Sequence, residues 1–208
     1  MSTALHFVFG FLAGFIGVIP PGLLNMTVAK ISLKQGKAKA LYFALGASLI
    51  VIMQVYVGVL FSRYLNMHPE VIAFLEKVAV GIFFVLSFYF FVKARAEKKS
   101  EVKIKARNIK SVLFLGVFMS SINIFPIPFY VAFSTFLGAR NLFLFEQLPV
   151  AIFVAGVAIG TFLTLYMYTF FISKMRSRGE TFSSKINYIL GSITLIIAVF
   201  TLVKIYTR

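Results

Sequence analysis

Six long apolar runs constrain this chain more than any other feature: Ala4–Ala29, Ala40–Phe61, Val71–Val92, Ser111–Leu137, Pro149–Ser173 and Ser184–Val203. None carries Lys, Arg, Asp or Glu at its middle. Glu76 and Lys77, in the first turns of the third run, can snorkel to a membrane surface. Crossing the hydrocarbon of a bilayer takes about 20 apolar residues in a helix. The runs are continuous rather than alternating, which predicts helices and not barrel strands. A chain of 208 residues that is 60% hydrophobic and 13% charged cannot hide this surface in one water-soluble core. The expected fold class is therefore all-α: a polytopic membrane protein with six transmembrane helices. Met1–Phe7 holds no Lys or Arg, and the first run is too long for a cleaved secretory signal, so it is expected to stay as a helix.

The gaps between runs predict the orientation. Lys30, Lys34, Lys37 and Lys39 fill the first gap, Lys93 to Lys110 the third, and Lys174, Arg176, Arg178 and Lys185 the fifth. Sixteen of the 21 Lys and Arg thus lie on one side, against Arg63, Lys77, Arg140, Lys204 and Arg208 on the other. The positive-inside rule places the rich side in the cytoplasm and both termini outside, in a cell (inner) membrane. The formal charge of +15 belongs to these juxtamembrane gaps, which face anionic lipid. It is not the basic face of a nucleic-acid binder.

Three runs per half implies that two like halves would be inverted in the membrane. The first run is interrupted by Pro20-Pro21-Gly22 and the fourth by Pro126-Ile127-Pro128, each some fifteen residues in. Proline removes a backbone donor and clashes with the preceding turn. Unwound backbone at membrane depth must be satisfied by protein or by a water-filled cavity, and paired broken helices mark transporter binding sites. The expected organisation is a first three-helix repeat over 1–92, a basic cytoplasmic linker over 93–110 and a second repeat over 111–208. The substrate-binding candidates are Pro20, Pro21, Gly22, Asn25, Asn123, Pro126 and Pro128. The two amides suit a zwitterionic solute, although an intramembrane Asn can equally bridge two helices. A half-helix starting at Gly22 would aim its free N–H groups at a carboxylate. Gln54 and Tyr56, with Ser48 a turn and a half earlier, and the Thr161–Thr164–Tyr168 stripe could line a path or serve as packing contacts. Gly10-x-x-x-Gly14 and Gly156-x-x-x-Gly160 read as close-packing motifs.

Other classes lack their residues. With no Cys, no Asp, no mid-span Glu, and His6 and His68 expected at the outer edge, there is no catalytic constellation and no metal site. No cofactor is implied. A non-transporting membrane scaffold or assembly protein, in which the breaks are mere packing kinks, is the competing reading. The expected partners are a small-molecule substrate, membrane lipids and a further copy of the chain in a homo-oligomer.

The stretch from Gly10 to Gly46, with Gly14, Gly17, Pro20-Pro21-Gly22, Lys34-Gln35-Gly36-Lys37 and Ala44-Leu45-Gly46, resembles the opening of the LysE/RhtB-type amino-acid exporters. Gly116 through Asn123 and Pro126 is similar to the start of that family's second half. The resemblance covers the whole chain. It implies a secondary transporter that exports amino acids or related small solutes, with Pro20, Pro21, Gly22 and Pro126 as break residues. Members often carry an acid in the second helix, where this chain reads Gly46-Ala47-Ser48-Leu49-Ile50-Val51. Its absence points to a neutral amino acid or derivative rather than a basic one.

Overall fold

In the computed structural model the described residues are 3–20, 22–95 and 108–171, with 188, 191–192, 195–196, 198–203 and 205–207 near the C-terminus. They form α1 (Thr3–Val18), α2 (Leu23–Gln35), α3 (Lys37–Met67), α4 (Pro69–Arg95), α5 (Ile109–Ile122), α6 (Pro126–Gly138) and α7 (Gln147–Phe171), with further helical turns between 191 and 206. No strand occurs among the described residues. Within the expected linker, α4 runs on to Arg95 and α5 starts at Ile109, while 96–107 lie outside the described residues. So do Pro21, nine of the twenty residues of the sixth run and the basic residues 174–185.

Three described helices, α3, α4 and α7, are long and apolar enough to cross a membrane. The count rises to five if each of two bent pairs is one span: α1 with α2, bent by 74°, and α5 with α6, bent by 61°.

The helices are inside-out relative to a water-soluble fold. On α5, Phe114, Phe118 and Ile122 form an exposed stripe at helical spacing, while Val112, Gly116 and Ser120 form the buried one. On α1, Leu5, Val8, Leu12 and Ile16 point outward and His6, Gly10, Ala13 and Gly14 point inward. Large apolar side chains facing out, with small and hydroxylic ones inside, is the arrangement that lipid permits. Lipid supplies no hydrophobic drive between helices, so association relies on close backbone contact and hydrogen bonds.

The chain divides into two compact units. One comprises Met1–Met67 with Lys103–Met175 and so holds both bent pairs together with α3 and α7. Its core has two clusters. Val51, Val55, Val59, Tyr130, Phe153 and Val157 form one; Val28, Ile31, Phe43, Ala44, Val112 and Leu165 form the other. Glycine contacts set the two tightest helix crossings. A Cβ on Gly10 or Gly14 would overlap the backbone carbonyl oxygen of Phe153 or Val157, and one on Gly156 or Gly160 the backbone of α1. Gly46 and Gly116 abut the backbones of Leu113 and Phe43 in the same manner. The crossings are therefore α1 on α7 and α3 on α5. Between α2 and α3 the chain turns at Gly36, whose φ of 95° suits a residue without Cβ.

The other unit comprises His68–Val102 and Arg176–Arg208. Within it the Ser87 hydroxyl donates to the Gly191 carbonyl at 2.9 Å, and the rings of Phe91 and Tyr188 are tilted with centroids 6.2 Å apart.

Candidate functional site

Both bends leave helix-end carbonyls without a helical partner, and the sequence supplies a donor for each. At the first, α1 stops at Val18 and α2 begins after Gly22. Asn25, 3% exposed, donates through Nδ2 to the carbonyls of Val18 and, at 3.0 Å, of Pro20. Two side chains of α7 finish the cap: the Tyr168 hydroxyl donates to Ile19 O at 2.6 Å and the Thr164 hydroxyl to Phe15 O at 3.0 Å. The α2 start has no side-chain cap, so the free N–H groups of its first turn open onto the break. Gly22 is extended (φ −122°, ψ −169°), and a Cβ there would meet only Pro20 O, at 3.9 Å.

At the second bend, α5 stops at Ile122 and the chain is irregular over 123–125. This corrects the expected position: the break precedes Pro126 and Pro128, which lie in the first turn of α6. Proline there gives up only an N–H that a helix start leaves unbonded anyway, and its fixed φ is already helical. With two of the first three residues lacking N–H, α6 offers few donors. The α5 carbonyls are instead capped by Gln54 of α3, whose Nε2 donates to Ser120 O at 3.0 Å and Asn123 O at 2.8 Å. Asn123 closes α5 through its backbone, N–H to Ser120 O at 3.1 Å. Buried Gln54 Oε1, Ser120 Oγ and Ser48 Oγ have no hydrogen-bond partner among the described residues.

The two bends are neighbours. Gly17, one residue before the end of α1, lies against Phe129 in the first turn of α6, where a Cβ would stand 2.9 Å from the ring. The contact joins the end of α1 to the start of α6 within this unit, and Ile124 and Phe125 between α5 and α6 are exposed. Pro21 is outside the described residues.

Gln54 is the residue whose weight sequence reasoning underrated. A lone mid-helix amide is a visible signal, but nothing along the chain says that it reaches a break some 66 residues away. Thr164 and Tyr168, on one face as expected, cap α1 rather than line a path. His6, near the start of α1, is enclosed by protein. It is fully buried, its Nε2 accepts from the Leu144 N–H at 3.0 Å, and its ring is tilted against Phe143 at 5.2 Å. The segment after α6 folds back over the start of α1 and covers it. No group of three or more His, Cys, Asp or Glu that could hold a metal occurs among the described residues.

The family described as LysE type translocator matches residues 15–205. No match was found among curated proteins or solved structures.

Proposed function

The chain belongs to the LysE type translocator family, a family of membrane-embedded transporters, and we propose that it exports amino acids or related small solutes from the cytoplasm. The observation that carries this reading is the adjacency of two broken helices, one presenting uncapped N–H groups and the other unpartnered buried polar atoms. The N–H groups of the first turn of α2 suit a carboxylate. Gln54 Oε1 and the Ser120 hydroxyl can accept from an ammonium group. With no acid nearby, a neutral amino acid fits better than a basic one. In this proposal Gly22, Pro20 and Pro21 shape the carboxylate side, Asn25 holds that shape, and Asn123, Pro126 and Pro128 bound the opposite side.

We further propose six spans built as two inverted three-helix repeats, with both termini outside. Exchanging α1–α2 with α5–α6, and α3 with α7, maps one glycine-lined crossing (α1 on α7) onto the other (α5 on α3). It also maps one cap onto the other, since α7 caps the end of α1 and α3 caps the end of α5. Such pairs exchange the site between the two sides by rocking.

Efflux from cells overproducing the protein, loaded with dipeptides that release single amino acids, tests the reading. Faster release of one class of neutral amino acid is expected. It should be abolished by Gly22→Leu at unchanged protein level, because the extended backbone there accepts any residue and the added Cβ makes only an ordinary contact with Pro20 O among the described residues. If no amino acid leaves faster than from control cells, the export reading is wrong.

A further inference from the structure

A cavity of about 560 Å³ lies between α3 and α7, away from the bends. Its α3 wall is the stripe of Ile52, Tyr56, Leu60 and Arg63, which helical spacing puts on the face opposite Gln54. Val150 and Val154 form much of the α7 wall, and Gln147, the first residue of α7, closes the same end as Arg63. The furrow is graded along its length. Arg63 lies one turn from the end of α3, and the first turn of α7 adds the positive end of a 25-residue helix. From Arg63 to Ile52 the wall descends roughly 16 Å at 1.5 Å per residue, and Tyr56 is the only polar side chain on it between those two residues. Tyr56 and Leu60 are about half exposed, so the furrow opens sideways.

We propose that this furrow binds an anionic phospholipid, with its phosphate at Arg63 and the start of α7 and an acyl chain along the apolar wall. Charge selects the headgroup: Arg63 is the only charged residue of the lining, and Glu146, exposed just before Gln147, lies outside that lining. None of the buried unpartnered polar atoms among the described residues lines the furrow. Arg63 forms no ion pair among the described residues. The inference rests on membrane embedding and stands apart from the export reading.

The test is native mass spectrometry of the purified, delipidated protein titrated with dioleoylphosphatidylglycerol or with zwitterionic dioleoylphosphatidylcholine. Phosphatidylglycerol should be retained in preference. Arg63→Gln should lower its retention about fivefold, the effect of one cation at a membrane surface, and Arg63→Lys should preserve it. Arg140→Gln, which removes a cation stacked on Phe136 instead, should change nothing. Ala155→Phe, which fills the furrow two turns along α7 from Gln147, should lower retention of both lipids and gives a readout independent of Arg63. Equal retention in wild type and Arg63→Gln overturns the proposal, as does equal loss in Arg140→Gln, which indicates bulk charge. Displacement of the lipid by millimolar leucine also overturns it and makes the furrow a solute site.

Discussion

Replacing Gln54 by leucine isolates the contribution of one cap at a broken helix. The substitution keeps side-chain bulk in α3 and removes two donated bonds, to Ser120 O at 3.0 Å and Asn123 O at 2.8 Å. Interhelical hydrogen bonds in membranes contribute about 0.6 kcal/mol each on average, which sets a lower bound near 1.2 kcal/mol for the pair. A buried carbonyl left unsatisfied costs about 1–3 kcal/mol. Water reaching the irregular segment 123–125 would relieve part of that cost, so the expected destabilisation is about 1–3 kcal/mol. For a chain of this size that lowers the thermal midpoint by roughly 2–12 °C, read from melting of the purified protein in detergent. Gln54→Glu adds a signed check. The neutral acid can donate to one of the two carbonyls, whereas the carboxylate can donate to neither and is repelled by both. The variant should therefore be closest to wild type at low pH and lose stability as pH rises. Gln54→Leu melting with the wild type, or Gln54→Glu showing no pH dependence beyond the wild type's, would refute the capping argument.

Three further outcomes follow from the same geometry. Thr164→Val combined with Tyr168→Phe removes the bonds to Phe15 O and Ile19 O and should cost about 1–3 kcal/mol, measured by the same melting assay. Gly116→Val drives a side chain into the backbone of Phe43, which cannot yield as a flexible side chain does; more than about 3 kcal/mol is expected, seen as loss of folded protein, whereas Gly81→Ala, with nothing within 4 Å of its Cβ, should be neutral or gain up to about 1 kcal/mol. His6→Phe deletes the acceptor of the Leu144 N–H, so exchange of that amide should quicken about fivefold, the equivalent of a net hydrogen bond near 1 kcal/mol.

Membrane class, the first five helix runs, both breaks and the glycine faces that join α1 to α7 were legible along the chain because each depends on local composition or spacing. A run of about 20 apolar residues reads the same whatever packs on it, and Pro20 and Pro126 act on their own backbone. Even so, local rules misplaced the second break by three residues, since a proline pair disrupts a continuing helix but also suits the start of a new one. Nothing local says that α5 has already ended at Ile122. Tertiary structure alone decided which side chain serves which break. Gln54 reaches the end of α5, Thr164 and Tyr168 reach the end of α1, and His6 is covered by the segment around Leu144. These pairings join residues 66 to 149 positions apart. The glycine contacts of α3 with α5, and of α1 with α7, bring them together. A carbonyl freed by a broken helix takes whichever donor the neighbouring helix carries at that depth, and depth and crossing point belong to the packed molecule rather than to the chain.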